Sequence, residues 1–268
     1  DSLNLAFTLI SSGGFLPVND LSSILKDKSQ IIIISILMLL SFFSIFFSYN
    51  LFFTKKRNIN FFYEDIHLLI YFIVVIFIFF IFFSFKNDFS DNLFSISSSM
   101  SNIGFSISKN QPNLDLVFLI LVIIGGSFLS TSSGLRFVKI YSLFKYSLNQ
   151  ILSFSRPKNI FINKLLFTKI NLNFLEINKY FLTIIVFILS LFILSSLLGL
   201  SGIDFEQAFK LSILTLMNTV NSSIYGLSDF DFNNLHFFTK YYLIFFMIIG
   251  RIELLTVLLI IKKFLFKN

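Results

Sequence analysis

Three short stretches of this chain carry residue types that can strip and pass a cation: Ser12-Gly13-Gly14-Phe15, Asn102-Ile103-Gly104-Phe105 and Asn218-Thr219-Val220-Asn221. Each follows a short, weakly polar, mostly apolar segment and precedes a long apolar one. Loops of this kind present backbone carbonyls that can replace an ion's hydration shell. Glycine opens backbone angles closed to other residues and lets those carbonyls approach closely. A half-helix entering such a loop from outside also directs its negative C-terminal dipole end toward the membrane centre. Taken singly, each stretch has a plain alternative, because Ser and Gly are common where helices pack in membranes. Their repetition points to a pore built by internal duplication, since irregular backbone at membrane depth is tolerated only where it is buried in protein or lines a water-filled path.

Two further features carry chemistry. The run from Gly125 and Gly126 through Ser130, Thr131, Ser132 and Ser133 to Gly134 interrupts a 116–151 apolar stretch with small polar residues near mid-depth, and an unwound segment there needs a polar cavity. A helix kink at the glycine pair is the alternative. Arg251 lies inside the last apolar span, where a charge costs about 3 kcal/mol or more unless it meets water or a partner. It either faces the pore near the 125–134 segment or locks two helices together. Glu253, two positions on, points to a different side of the helix and is expected to pair elsewhere.

The elements that must position these residues follow from composition. The chain is 56% hydrophobic with 41 Phe and only 13% charged residues, far from the roughly 25% charged of soluble domains. It reads as an all-α integral membrane protein. Five segments reach the roughly 20 apolar residues that a span requires: 31–53, 68–85, 116–151 with its interruption, 180–200 and 237–264. With the short segments Leu3–Ser11, Phe89–Ser101 and Phe205–Met217, they form repeats of outer helix, half-membrane pore helix, filter loop and inner helix. Residues 1–53 make one repeat without its outer helix, 61–152 a second with a broken inner helix, and 176–268 a third. The chain begins with Asp1 and reads as the later part of something longer.

Charge orients these spans. Lys55-Lys56-Arg57, the stretch 136–179 and the tail 262–267 hold 14 of the 21 basic residues, which makes them cytoplasmic by the positive-inside rule. The few acids near them are Glu64, Asp65 and Glu176. The other side gathers acids, among them Asp115, Asp204 and Glu206, whose sign would raise cation concentration at a pore mouth, unless they are simply what remains on an outer face. Tyr225, Tyr241 and Tyr242 are expected in an outer interfacial belt, and Tyr63, Tyr141, Tyr146 and Tyr180 in an inner one. Anionic lipid accounts for the net charge of +7, with no call for nucleic acid. The absence of cysteine removes disulfides, thiolate catalysis and zinc-thiolate sites. His67 and His236 have no carboxylates at ligand spacing, so no metal or catalytic role is expected of them.

The filter stretches, the Gly125-Gly126-Ser127-Phe128-Leu129-Ser130-Thr131-Ser132-Ser133-Gly134-Leu135-Arg136 run and Gly250-Arg251-Ile252-Glu253 together resemble the Trk/Ktr/HKT superfamily of potassium transporters. The likeness covers the last three of that family's four pore repeats. It implies potassium uptake across a bacterial cytoplasmic membrane, with potassium held at Ser12, Gly13, Gly14, Asn102, Ile103, Gly104, Asn218, Thr219, Val220 and Asn221. It also implies that the 125–134 segment acts as a movable gate restrained by Arg251. This is transport rather than enzyme chemistry, with no cofactor beyond the ion carried. Homodimers and a cytosolic nucleotide-binding ring on the basic inner face are implied as well. By the same likeness, Asn221 stands where the family has glycine, which bears on potassium over sodium selectivity. A non-conducting relative with a structural or regulatory role is the alternative.

Overall fold

The computed structural model describes residues 2–16, 21, 24–25, 27–45, 47, 59–83, 89–107, 114–155, 174–219, 223–227, 230–233, 235–252 and 254–266. The described chain is mostly helical. Its helices are α1 (Ser2–Ser11), α2 (Lys28–Phe42), α3 (Ile59–Phe83), α4 (Phe89–Met100), α5 (Asp115–Ile123), α6 (Phe137–Ser155), α7 (Phe174–Leu200), α8 (Phe205–Leu216), α9 (Phe237–Ile252) and α10 (Leu254–Phe266). A parallel bridge pairs β1 (Ile124–Gly125) with β2 (Leu135–Arg136).

Among the described residues two helices, Glu64–Phe82 and Phe174–Leu200, are long and apolar enough to cross a bilayer. No charged residue interrupts the chain between Lys179 and Asp204, so residues 180–200 of α7 form a charge-free wall over about 32 Å at 1.5 Å per residue. Three expected spans have other limits. In the 31–53 span α2 ends at Phe42 with a break at residues 43–44, Ile45 and Phe47 are again helical, and the rest of its later half falls outside the described residues. The 116–151 span divides into α5 and α6, and the 237–264 span into α9 and α10. The three short segments are helices within a residue or so of their expected ends.

Polarity is distributed inside out. Ile73, Val74, Phe77, Phe80 and Phe82 of α3 and Leu189, Phe192 and Ile193 of α7 are exposed, whereas Ser97, Ser98, Ser99 and Ser101 around the end of α4 are fully buried. A soluble protein rarely exposes contiguous apolar faces of this extent. The short helices sit in the centre: α4 packs on α2 and α5, and α8 packs on α7 and α9. One core joins Leu194 and Leu198 of α7 to Ala208, Leu211 and Leu214 of α8 and to Val122 of α5. A second joins Leu5 and Leu9 of α1, Met38 of α2, and Phe94, Ile103 and Phe105.

Glycine is needed at two close approaches. A Cβ on Gly250 would collide with the Leu216 carbonyl, so α9 can touch the end of α8 only without a side chain there. A Cβ on Gly126 would collide with the Phe42 carbonyl at the end of α2 and with the hydroxyls of Ser130 and Ser132.

Candidate functional site: three helix-end turns and a buried loop

The three short helices end in the same turn. The N–H of Ser12 bonds to the Leu9 carbonyl (3.4 Å) and that of Gly13 to Thr8 (3.0 Å). Asn102 bonds to Ser99 (3.2 Å) and Ile103 to Ser98 (3.0 Å), while Asn218 bonds to Thr215 (3.1 Å) and Thr219 to Leu214 (2.9 Å). These paired bonds are the Schellman motif, which requires a left-handed residue after the helix. Ser12, Asn102 and Asn218 supply it at φ 51°, 60° and 54°, and Gly14 and Gly104 return to positive φ at 72° and 81°. Asparagine visits this region more readily than most residues, which suits two of the three positions.

This register corrects the sequence reading of the last turn. Ser12, Asn102 and Asn218 are equivalent, so Val220 stands in line with Gly14 and Gly104, and Asn221 with Phe15 and Phe105. Val220 and Asn221 themselves lie outside the described residues. The family likeness instead puts Asn221 on the glycine, one position late, because no glycine marks the register there.

Each left-handed residue reaches a different neighbour. Asn102 Nδ2 donates to the Met217 carbonyl (3.4 Å), and Asn218 Nδ2 to the Met247 carbonyl on α9 (3.0 Å). Ser12 Oγ instead meets Thr131 Oγ1 in the 126–134 loop (3.3 Å). Around the turns, Ser98 Oγ, Asn102 Oδ1 and Thr219 Oγ1 are buried with no hydrogen-bond partner among the described residues. Buried polar atoms are normally paired, so these oxygens are available to a bound cation or water.

The 126–134 loop is closed at its base by β1–β2 and held from four sides. Ser127 N–H bonds to Phe42 O (3.1 Å) and Ser132 N–H to Ser41 O (3.4 Å), while the Leu129 carbonyl accepts from Ile45 N–H (3.2 Å). From α3, Glu64 accepts the Phe128 N–H (2.8 Å), and the adjacent Asp65 accepts the backbone N–H (2.9 Å) and hydroxyl (2.6 Å) of Ser44. Arg136 Nη1 lies inside the loop, 3.1 Å from Ser127 O, Ser132 O and Ser130 Oγ and 3.4 Å from Ser130 O. Arg251 Nη1 donates to Ser133 Oγ from α9 (2.9 Å). Gly125, Gly126, Ser130, Thr131, Ser132, Ser133, Gly134 and Arg251 are thus in one assembly, and a simple kinked helix is replaced by a true loop. Glu253 lies outside the described residues.

Behind α8 sits a charge cluster. Lys210 is buried and lies 2.8 Å from Glu206 and 3.6 Å from Asp115. The hydrogen bond from Lys210, then its charge, holds the exposed Glu206 carboxyl below the usual range. Gly226 leaves room for Asp115, since a Cβ there would strike its carboxylate. These two carboxylates are therefore engaged by a lysine. Tyr225 departs from expectation: it is completely buried, its hydroxyl 3.5 Å from Ser99 Oγ, and belongs to the core instead of an interfacial belt. His67 packs edge-on to Tyr141 and His236 stacks on Phe238.

The architecture has a solved counterpart. The potassium transporter TrkH from Vibrio parahaemolyticus superposes with a TM-score of 0.81 at 19% identity, over 95% of this chain and 56% of that one. The chain has the TrkH fold. An uncharacterised cation transporter of Methanocaldococcus jannaschii is 26% identical over 285 aligned residues, covering all of this chain and 55% of that protein. No family model matches the sequence. The chain therefore spans about half the length of both proteins, and the likeness to the Trk group read from its motifs is present in its fold.

Sequence reasoning missed Arg136, Glu64, Asp65 and Lys210 as members of the site. A signal existed for three of them. Glu64 and Asp65 open an otherwise apolar 19-residue stretch, and Lys210 is the one basic residue of its short helix, with only uncharged residues after it. Charges placed so deep are expensive unless paired.

Proposed function

We propose that this chain builds most of a cation-conducting pore that carries potassium across a membrane. The observation that carries this reading is the threefold Schellman turn, in which three half-length helices end on a left-handed residue. Each carries a C-terminal dipole and loop carbonyls, the second and third turns being joined by the bond from Asn102 to the Met217 carbonyl, and such helix ends suit a desolvated cation. Ser12, Gly13, Gly14, Asn102, Ile103, Gly104, Asn218 and Thr219, continued by Val220 and Asn221, are the filter in this reading. The 126–134 loop, bonded to the ends of α1 and α2, is the gate, and Arg251 is its latch from α9. The fold of a potassium transporter and the sequence of a cation transporter support ion transport. Potassium as the ion, a multi-pass topology in a bacterial inner membrane, a homodimer and a nucleotide-binding regulatory ring are parts of the same proposal.

The test is growth. Expression of the full-length gene product should restore a potassium-uptake-deficient bacterium on low potassium. Absence of rescue with verified membrane insertion would reject conduction. One feature of the sequence favours the second reading, a non-conducting relative: two residues after Asn218 the chain has Val220, whereas two residues after Ser12 and Asn102 it has Gly14 and Gly104.

A further inference from the structure

The three left-handed filter residues are not anchored alike. Asn102 and Asn218 bond to carbonyls of Met217 and Met247, at the end of one core helix and within another. Ser12 bonds to the 126–134 loop. Its partner Thr131 Oγ1 also lies 2.9 Å from the Ile10 carbonyl, in the last turn of α1, and 3.3 Å from the Ser41 carbonyl. A threonine hydroxyl has one hydrogen and can accept two. When it donates to Ile10, it is left as the acceptor for Ser12, and the chain Ser12 Oγ–H to Thr131 Oγ1–H to Ile10 O closes around the end of the helix. Ser12 is also the poorest of the three residues at holding positive φ unaided, because a serine side chain lacks the reach and left-handed preference of asparagine.

We infer that Thr131 is a positioning residue for the first filter turn, and that the ion preference of this turn follows the state of the loop. While the loop is seated, Thr131 fixes the Ser12 hydroxyl and the carbonyl of Ile10. When the loop leaves, both are released, and a turn with loosened ligands distinguishes cations by size and hydration less well. The other two turns keep their anchors in either state. The inference rests on the conduction reading above and deepens it.

Two measurements on the full-length protein separate this inference from that reading. The first is the ratio of rubidium to sodium affinity, read by equilibrium binding to the purified protein with the loop seated, since flux reports the state in which the loop has left. Thr131→Val, which keeps the shape and removes the hydroxyl, should lower the ratio about fivefold, the effect of losing one neutral hydrogen bond, and Thr131→Ser should restore it. A role confined to packing would change both affinities in proportion, and an unaltered ratio in Thr131→Val overturns the inference. The second reads the loop itself. These 268 residues contain no cysteine, and Ser127 is fully buried with a hydroxyl unpartnered among the described residues, so Ser127→Cys, in an otherwise cysteine-free background, is a reporter of loop opening with little cost. Rubidium should slow its modification by a water-soluble maleimide in the parent and in Thr131→Ser, and have no effect in Thr131→Val. Equal slowing in Thr131→Val, or none in the parent, overturns the inference. A rubidium response without any transport sinks the conduction reading and leaves the link between filter and loop standing.

Discussion

Arg136→Ala should unfold the 126–134 loop while leaving the helices around it in place. One guanidinium nitrogen lies within 3.1–3.4 Å of three carbonyls and one hydroxyl. It carries two hydrogens, so at most two full bonds exist at once and the rest are shared. Bonds to a charged donor contribute about 1.5–3 kcal/mol each, so two are worth about 3–6 kcal/mol. Arg136 is only half-buried, so water recovers part of the loss, and about 3 kcal/mol is the reasonable figure at the low end of that range. At 1.4 kcal/mol per tenfold, this raises about 100-fold the population in which the loop itself is unfolded, as distinct from released whole from its seat. Modification of Ser127→Cys tracks that population when opening is fast and reversible. Its rate should therefore rise about 100-fold in Arg136→Ala and about tenfold in Arg136→Lys, which keeps the charge but not the planar fork. A rate within about threefold of the parent, in protein that accumulates normally, would refute the idea that this side chain shapes the loop.

Arg251→Ala removes the donor to Ser133 Oγ, and rubidium uptake per inserted protein should rise; failure to accumulate would instead identify Arg251 as a helix lock. Val220→Gly should increase the potassium to sodium uptake ratio about fivefold, the lower end of the cost of a strained backbone, and Asn221→Gly should do less; the reverse ranking would reject the register drawn from the three turns. Gly250→Ala forces a methyl onto the Leu216 carbonyl and should cost about 1–3 kcal/mol, seen as a lower melting temperature in detergent. Asp115→Asn leaves the buried Lys210 with Glu206 as its remaining carboxylate among those described, and the resulting loss of thermal stability should be recovered by adding Lys210→Met; no recovery would mean that Asp115 acts through something other than Lys210.

Much of this was legible from residue pattern. The half-length helices announced themselves because their apolar runs stop short and end in Ser, Asn or Gly, and their limits agree with Ser2–Ser11, Phe89–Met100 and Phe205–Leu216 to about a residue. That Arg251 must meet water or a partner followed from the cost of a charge at that depth, and the 125–134 segment was one of the two partners that the pattern allowed. What the pattern did not reveal depends on tertiary pairing. Nothing local distinguishes Asp115 as a surface acid from Asp115 as the partner of a lysine about ninety residues away. Tyr225 looks like a belt residue until the segment 223–227 is seen to fold into the core. The last filter was misaligned for a related reason: glycine is the visible mark of a left-handed position, yet the residue that sets the register, Asn218, adopts positive φ without being glycine.

The two arginines of the loop divide its stability unequally, and this bears on how a gate there could work. Arg136 belongs to the loop itself and satisfies its carbonyls from within, so it travels with the loop. Arg251 belongs to α9 and holds the loop by one hydroxyl, with Glu64 holding it by one N–H from α3. Releasing the loop from its seat would break those two bonds, the Thr131 contacts and the bonds to the end of α2, but none of the four made by Arg136. A loop released in this way keeps its own fold. It can therefore return to the same seat without paying again for backbone ordering, which costs about 1–2 kcal/mol per residue. Reversible opening at low cost thus requires the guanidinium inside the loop as much as the one outside it, and a chain with Arg251 but without Arg136 would hold a latch with nothing rigid to fasten.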